Sequence, residues 1–367
     1  MTRLRISVVQ YLNTAPLVRG FTHGPLRGKY DLSFTVPSQC AEALRSGAAD
    51  VAIIPAIEYP RIVASGLPLA ILPNLAIASK ERVRSLLVIS KVPIRQARRI
   101  ALDRSSRSTQ ALVRILAARR WQIAPEFLEA APDPDAMLAT ADAALLIGDA
   151  ALRIAIAAEA SPVKPGPDAE WLAPAAVLSD PPTSPHSDSL VAAQHAAPAK
   201  PPREASSAEP PVGPQHRCAP ARQDLSLDLH PSTQLHIYDV VKEWWHLTEK
   251  PAVLAIWAAR NHSFPDGLIP AELTADFQAS RDFGLTQIPQ IAAEAAAEMH
   301  LPEKELRLYL QKNIDYSLDD DNFQGLQRFF NESQTLNLIA PLQSIAIAAG
   351  PHSHTRYINY TYAKNRA

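Results

Sequence analysis

The chain contains little cysteine and little glycine, and its net charge is close to zero. Its 367 residues include two cysteines, Cys40 and Cys218, and 12 glycines, and 36 Lys+Arg nearly balance 37 Asp+Glu. Two cysteines exclude a disulfide framework and a cysteine metal site, which favours a reducing compartment. A net charge of -1 provides no long-range attraction to nucleic acid or to an anionic membrane. An anionic ligand must therefore be held by local groups.

Long apolar runs and export signals are also missing. No window reaches about 18 consecutive apolar residues, the length typical of a membrane-spanning helix. MTRLRISVVQY leads from the first methionine directly into an alternating strand pattern, without the apolar run and small-residue cleavage site of a secretory signal. We therefore expect a soluble, cytoplasmic protein that binds neither nucleic acid nor a membrane.

Familiar catalytic and cofactor motifs are absent as well. The sequence has no GxSxG, P-loop, GxGxxG or HExxH pattern, and His352 and His354 lie near the C-terminus without a third candidate metal ligand. Four of the 11 histidines fall within one proline-rich stretch. We expect no metal and no cofactor, and we expect that no histidine serves as a general base.

The proline-rich stretch runs from about Glu159 to Gln234 and holds 15 of the 33 prolines. It shows neither a helical nor a strand period, and its composition cannot bury enough apolar area to offset the entropy of ordering. We interpret residues 159–234 as a disordered insertion. A polyproline tract that binds a partner is the alternative.

The remaining residues alternate strand patterns with helix patterns, which is typical of an α/β architecture with mainly parallel sheets. Ser38 is placed to open a helix that ends near Gly47, and Pro16 stands at a plausible first helical position. From Pro270 to Phe330 the pattern is chiefly amphipathic helix. Strands are predicted in RISVVQY (5–11), DLSFTV (31–36), DVAIIP (50–55), SLLVIS (85–90), RIALD (99–103), AALLIG (143–148) and AVLAIWAAR (252–260).

Four polar segments fall at predicted turns between strands and helices. Open α/β sheets bind ligands at this position, outside the carboxyl ends of their strands. The segments therefore predict a ligand-binding cleft. They are YLNTAPL (11–17), RSLLVIS (84–90), SSRST (105–109) and IGDAAL (147–152).

The first and third segments offer uncharged hydrogen-bonding groups. The amide of Asn13 can donate to and accept from a polarised hydroxyl or a carboxylate, although Asn13 or Thr14 could instead cap the following helix. Ser108 and Thr109 open a strongly apolar helix, so their hydroxyls and backbone amides suit a carboxylate. Arg107 could add a charge-assisted hydrogen bond or be a solvated surface residue.

The other two segments are open to structural explanations. Ser85 precedes a continuous apolar strand, where its hydroxyl could simply be satisfied by the backbone. Asp149 follows a strand and precedes Ala150, so it could be a helix cap as well as a ligand contact.

In their order and spacing, these segments resemble the chorismate dehydratase family of the futalosine route to menaquinone. The resemblance covers essentially the whole chain except the proline-rich segment. It is carried by YLNTAPL, GAADVAIIPAIEYPR (47–61), SLLVISKVPI (85–94), ALDRSSRSTQALVRIL (101–116), LLIGDAAL (145–152), HIYDVVKEWWHLTEKPAVLAIWAAR (236–260) and KNIDYSLDDDNFQGLQRFF.

The resemblance implies a fold similar to type II periplasmic binding proteins, with two α/β lobes joined by a double crossover and a ligand in the cleft between them. Residues 1–92 and 258–367 would form the first lobe. Residues 93–257 would form the second and contain the insertion, which is longer than the family needs.

The resemblance also implies an activity. The protein would remove water from chorismate to give 3-[(1-carboxyvinyl)oxy]benzoate without a cofactor, and the carboxylate of the substrate itself would take the proton. Asn13 matches the catalytic asparagine of the family and Ser85 a serine that contacts the ligand. Ser108 and Thr109 would receive a carboxylate. The remaining expected substrate contacts are Tyr11, Thr14, Arg107 and Asp149.

Two other functions are compatible with such a fold. A non-enzymatic solute-binding protein would use the same two lobes but should carry an export signal. The related 1,4-dihydroxy-6-naphthoate synthase has an N-terminal motif with Cys-Pro-Asn-Asp and relies on a histidine, and neither feature is present at YLNTAPL.

Overall fold

The computed structural model describes residues 3–160, 171–174, 234–348 and 356–359. Within these ranges the chain forms two β-sheets with helices packed on their faces. The strands are β1 (Arg5–Val9), β2 (Asp31–Thr35), β3 (Val51–Pro55), β4 (Leu69–Ser79), β5 (Leu86–Ser90), β6 (Arg99–Asp103), β7 (Glu126–Ala130), β8 (Ala143–Ile147), β9 (Trp171–Pro174), β10 (Gln234–Asp239), β11 (Ala252–Arg260), β12 (Ser344–Ile347) and β13 (Arg356–Asn359).

The helices fill the connections between these strands, together with several short single turns. No helix in the described ranges is long and apolar enough to cross a bilayer. The helices are α1 (Ala15–Thr22), α2 (Pro37–Ser46), α3 (Glu58–Ala64), α4 (Arg107–Leu116), α5 (Pro134–Thr140), α6 (Gly148–Ala160), α7 (Val240–Thr248), α8 (Ala271–Thr286), α9 (Ile288–Met299), α10 (Glu303–Leu308) and α11 (Asp320–Thr335).

The two sheets define two lobes. The first sheet has the strand order β13-β12-β4-β11-β3-β1-β2, and the second has the order β7-β6-β8-β5-β10-β9. The chain leaves the first sheet after β4 and returns to it at β11, so two segments cross between the lobes. The expected two-lobed α/β fold with a double crossover is confirmed.

Both sheets are mixed, whereas the sequence pattern favoured mainly parallel ones. Strand β5 runs antiparallel to β8 and β10, and β11 runs antiparallel to β3 and β4. These are the two strands that enter a sheet directly from the other lobe. Such a strand starts at the cleft edge, where its parallel neighbours end, so it must run in the opposite direction.

Strand pairing also shows where the crossings lie. Because β5 belongs to the second sheet and β11 to the first, the crossings fall between Ser79 and Leu86 and between Asp239 and Ala252. The expected lobe limits, at 92/93 and 257/258, come several residues later. The sequence of an apolar strand such as SLLVIS does not indicate which sheet the strand joins, so the boundary between the lobes could not be predicted from the sequence.

Asp239 joins the two crossings. Its carboxylate accepts hydrogen bonds from the amides of Val83 and Arg84 in the first crossing, at 3.1 and 2.6 Å. It also caps α7 in the second crossing by accepting from the amides of Val241 and Lys242, at 3.0 and 3.1 Å. One buried side chain therefore holds both connections between the lobes together.

Helix α1 is fixed against α8 by a close contact. A Cβ added at Gly284 would lie 1.8 Å from the carbonyl oxygen of Pro16, so only glycine fits there. Ser280 adds a hydrogen bond from its hydroxyl to the carbonyl oxygen of Leu17, at 2.8 Å. Because α1 directly follows the turn at residues 12–14, this packing fixes the position of that turn.

The proline-rich segment is described only in part. Glu159 and Ala160 end helix α6, and Trp171–Pro174 forms strand β9, which pairs antiparallel with β10. The sequence pattern predicted neither feature. A strand of four residues that ends in proline is too short to show a strand period. The rest of the predicted insertion, residues 161–170 and 175–233, lies outside the described residues.

Candidate active site

The motif YLNTAPL forms the turn that joins β1 to α1. Residues Leu12–Thr14 make a short helical turn, in which Asn13 is half-buried and Thr14 is buried. The Thr14 hydroxyl donates to the Asn13 side-chain oxygen at 3.3 Å. No side chain caps this turn or the start of α1. The capping role that the sequence left open for Asn13 and Thr14 is therefore not what the structure contains.

Ser85 lies at the start of the second lobe and is 1% exposed. Its hydroxyl oxygen accepts a hydrogen bond from the phenol of Tyr309 at 2.9 Å. Burial raises the pKa of Tyr309, while its hydrogen bond with Ser85 and the nearby Asn13 side chain lower it. The Tyr309 hydroxyl thus brings together Asn13 of the first lobe and Ser85 of the second. These three side chains are the core of the candidate site.

Asp149 lies at the start of α6, on the other side of the same turn. Its Oδ1 accepts a hydrogen bond from the backbone amide of Leu12 at 3.2 Å. Burial raises the pKa of Asp149 to about 6, and the Leu12 amide opposes this shift. Asp149 belongs to the first turn of α6 in the second lobe. Its carboxylate therefore links the second lobe to the turn that carries Asn13.

Tyr11 packs against the residue before Asp149. Gly148 has φ +66, and a Cβ at this position would lie 3.0 Å from the Tyr11 ring. Burial raises the pKa of Tyr11, whereas a hydrogen bond with Ser105 lowers it. Tyr11 therefore reaches from the turn of the first lobe to both polar loops of the second lobe.

Ser108 and Thr109 lie in the first turn of α4, as predicted for the SSRST segment. The Ser108 hydroxyl accepts from the amide of Ile57 at 3.2 Å, which is a contact between the lobes. The hydroxyls of Thr109 and Ser106 lie 2.8 Å apart. All of these hydroxyls are buried, and because Ser108 only accepts in its contact with Ile57, its hydrogen is left to donate to a carboxylate.

Arg107 is engaged by carboxylates of the first lobe. Its Nη1 donates to Glu42 Oε1 at 3.0 Å and to Glu58 Oε2 at 2.9 Å. Glu58 is 1% exposed, so this ion pair is partly shielded from solvent. The guanidinium that the sequence offered to a substrate is occupied here by a bridge between the lobes.

The predicted residues therefore form two neighbouring groups. Asn13, Ser85 and Asp149 lie around the turn at 12–14, and Ser108 and Thr109 lie at the start of α4. Tyr11 lies between the two groups. Arg107 belongs to neither group, because its guanidinium is paired with Glu42 and Glu58. The amide and hydroxyl groups that meet here are uncharged, with Asp149 as the acidic group beside them.

The sequence did not single out Tyr309 or Ser105. Tyr309 follows α10 in the text LRLYL, where an aromatic residue is most simply explained as core. Ser105 was part of the SSRST turn but was not chosen, although it donates to Asp103 Oδ1 at 2.6 Å and reaches Tyr11. Only the fold reveals that both hydroxyls face the candidate site.

In the ranges that the structure describes, no group of three or more His, Cys, Asp or Glu residues is arranged to hold a metal ion.

The fold is similar to that of several proteins of known structure. Protein AF1704 from Archaeoglobus fulgidus superposes with a TM-score of 0.58 at 14% identity, over 92% of this chain and 98% of that chain. The periplasmic aliphatic sulphonate binding protein SsuA from Escherichia coli gives a TM-score of 0.51 at 15% identity, over 92% and 88%. At these identities the likeness concerns the fold alone. That fold is the two-lobed, periplasmic-binding-protein-like class.

Sequence comparison defines the protein more narrowly. A family model described as menaquinone biosynthesis matches residues 4–163 and 224–334, which is most of the chain. The protein belongs to this menaquinone biosynthesis family. The match omits residues 164–223, all within the proline-rich segment, so these residues are additional to what the family model describes.

Proposed function

We propose that the protein is a chorismate dehydratase that acts in menaquinone biosynthesis. The observation that carries this proposal is the meeting of Asn13, Ser85 and Tyr309 between the lobes, in a chain of the menaquinone biosynthesis family. These are neutral groups that donate and accept hydrogen bonds, as an elimination of water from a carboxylated ring requires.

The proposed reaction makes modest demands on the protein. Chorismate loses its ring hydroxyl and the proton from the neighbouring ring carbon, which together leave as water, and the ring becomes aromatic. The gain of aromaticity provides the driving force. The protein must orient the two departing groups and stabilise the charge that develops on them.

Ser85 and Tyr309 suit the departing hydroxyl. Because Tyr309 donates to the Ser85 oxygen, the hydrogen of Ser85 is left to point at a ligand. Burial raises the pKa of Tyr309, so its phenol keeps its proton at neutral pH. The pair forms a short donor chain that can hydrogen-bond the oxygen that leaves.

Asn13 suits the other reacting groups. Its amide lies beside Tyr309, and its oxygen also accepts from Thr14. The amide nitrogen remains to hold a carboxylate of the substrate near the ring proton. The resemblance to the family assigns proton removal to this substrate carboxylate. Ser108, Thr109 and the amino end of α4 would bind the second carboxylate.

Asp149 offers a different proton acceptor within the same proposal. It is a carboxylate next to the Asn13 turn, and burial raises its pKa to about 6. A general base works best with a pKa near the operating pH. If Asp149 were the base, Asp149→Asn would abolish turnover; if the substrate carboxylate is the base, this variant keeps most of it.

Incubation of the purified protein with chorismate tests the proposal. Proton NMR of the mixture should show the signals of the aromatic product replacing those of the diene. Chorismate that is retained by the protein but chemically unchanged would instead support a solute-binding function. Chorismate that is neither bound nor converted would contradict both functions.

A further inference from the structure

A cavity of about 760 Å³ lies between the lobes, next to the candidate active site. Its first-lobe wall comes from the start of α2, from α3 and from the residues after α11. Its second-lobe wall comes from the loop after β6, from α4 and from β7. The charged and polar residues of the wall that matter here are Ser105, Arg61, Arg104, Arg107, Arg114 and Glu129.

Two of the four arginines are already paired. Arg107 contacts Glu42 and Glu58, and Arg61 donates to Glu58 Oε1 at 3.0 Å. Arg45 also binds Glu58, at 2.9 Å. The two carboxylates Glu42 and Glu58 are thus shared by three guanidinium groups, so this side of the cavity keeps an excess of positive charge.

The other two arginines have no carboxylate within ion-pair distance among the residues that the structure describes. Arg104 is exposed at the end of β6. Arg114 lies with its guanidinium 4.5 Å from the centre of the Phe127 ring. Burial lowers the pKa of Arg114, and Arg61 adds to this effect while Glu129 opposes it. These two guanidinium groups can therefore accept an anion without breaking an existing ion pair.

Ser105 connects this cavity with the candidate site. It forms part of the cavity wall and also lies beside Tyr11, whose ring packs on Gly148 next to Asp149. An anion held by Arg104 or Arg114 would thus lie one residue layer away from the buried Asn13 turn. Ser105 is thus the wall residue that lies between the cavity and the candidate site.

We propose that this arginine-lined cavity is a capture site for small dicarboxylates, through which the dianionic substrate passes before it reaches Asn13 and Ser85. The identification of the ligand as the substrate rests on the proposed function. Positive charge at the mouth of a cleft concentrates an anionic ligand and speeds its association, an effect that salt weakens. The overall charge of -1 makes such a local cluster necessary.

The test uses the full-length protein and the double variant Arg104→Gln/Arg114→Gln. Its control is Arg27→Gln/Arg98→Gln, which removes the same charge from two exposed arginines outside the cavity. Arg98 precedes β6 and Arg104 follows it, so the two lie at opposite ends of one strand. Arg104→Gln alone, at an exposed side chain, is the variant to use if the double variant unfolds.

Two measurements apply to each variant. Isothermal titration with benzene-1,3-dicarboxylate, which cannot lose water, reports binding to the cavity. The salt dependence of kcat/KM for chorismate reports capture of the substrate. We expect the cavity variant to bind the probe at least about tenfold more weakly and to lose about tenfold in kcat/KM at low salt, with kcat unchanged. The control should behave as the wild type.

The outcomes separate the two proposals. Unchanged binding of the probe in the cavity variant, or equal losses in the control, would overturn the capture site. Weaker probe binding with an unchanged kcat/KM would overturn passage of the substrate and point to a separate anion site. If the wild type does not convert chorismate, the proposed function fails, but the titration still decides whether the cavity binds dicarboxylates.

Discussion

The phenol of Tyr309 donates a hydrogen bond to the hydroxyl of Ser85, 2.9 Å away, across the junction of the two lobes. Ser85 directly precedes β5, the first strand of the second lobe, whereas Tyr309 comes from the helical tail of the first. The contact is buried, and because Ser85 accepts in it, the serine hydrogen is left to donate. It therefore ties the two lobes together at the candidate site.

Tyr309→Phe should lower kcat for chorismate by about tenfold to a hundredfold, because Ser85 loses the donor that orients it. The unfolding free energy should fall by only about 1 kcal/mol, the contribution of one neutral hydrogen bond. In the background of Ser85→Ala, the tyrosine substitution should have little further effect on kcat. Steady-state kinetics and urea unfolding measure both quantities.

Tyr316→Phe is the matched control. The Tyr316 hydroxyl is buried nearby and has no hydrogen-bond partner among the described residues. Its removal should leave kcat unchanged and should not reduce stability. Equal losses of kcat in the two tyrosine variants would contradict a specific role for Tyr309.

Asp149→Asn should change the pH dependence of stability. Burial raises the pKa of Asp149 from 3.8 to about 6, so the folded protein holds this proton over a range in which the unfolded chain has released it. The contribution of Asp149 to stability is therefore largest below about pH 4, falls as the pH rises to about 6 and stays constant above. Asparagine retains the oxygen that accepts from Leu12 but does not titrate.

Thermal unfolding at a series of pH values measures this effect. The wild type should lose stability relative to Asp149→Asn between about pH 4 and pH 6, with a constant difference above that range. A difference that does not vary over this range would show that Asp149 has an ordinary pKa.

Asp239→Ala should be strongly destabilising, because its carboxylate satisfies the amides of Val83, Arg84, Val241 and Lys242. We expect a loss of at least about 3 kcal/mol in the free energy of unfolding. Asp133→Ala is the control, since Asp133 caps α5 through one exposed contact, to the amide of Ala136 at 3.0 Å.

The Asp133 variant should lose only about 1 kcal/mol, as an ordinary helix cap does. Urea unfolding of both variants gives the comparison. Similar losses would mean that Asp239 is merely a helix cap and does not hold the two crossings together.

Deletion of residues 175–223 should leave folding and turnover close to those of the wild type. The family match resumes only at residue 224. Pro174 and Gln234 pair directly in the second sheet, so the ends to be joined lie on neighbouring strands and residues 224–233 can connect them. The measurements are the melting temperature and kcat.

Deletion of 164–223 is the informative comparison, because it also removes β9. Strand β10 would then keep β5 but lose its outer partner and expose an unpaired edge. We expect a lower melting temperature for this longer deletion than for the shorter one. Loss of turnover in the shorter deletion would show that the segment has a functional part.

Much of the fold could be predicted from local patterns. The seven strands predicted from the sequence appear as β1, β2, β3, β5, β6, β8 and β11, and the helix Pro37–Ser46 ends before Gly47 as expected, because these signals act within a few residues. The direction of β5 and β11 and the pairing of β9 could not be predicted in this way. They depend on which lobe the chain has just left and on a partner strand far along the sequence.

The candidate site was predictable to a similar degree. Asn13 and Ser85 could be chosen because polar residues at strand ends favour a ligand site and because their motifs resemble a known family. Tyr309 could not be chosen, since it lies 224 positions from Ser85 in an apolar helical pattern. The ion pairs of Arg107 could not be predicted from the sequence either, because Glu42 and Glu58 come from two other helices.

The central claim is that uncharged groups around Asn13 eliminate water from chorismate. Mass spectrometry of chorismate incubated with metal-stripped wild-type protein tests it most directly, with Asn13→Ala beside it. We predict a product lighter by one water molecule, formed by the wild type and at least about a hundredfold more slowly by Asn13→Ala, at an unchanged melting temperature. Chorismate that keeps its mass with the wild type, or equal rates for both proteins, would contradict the claim.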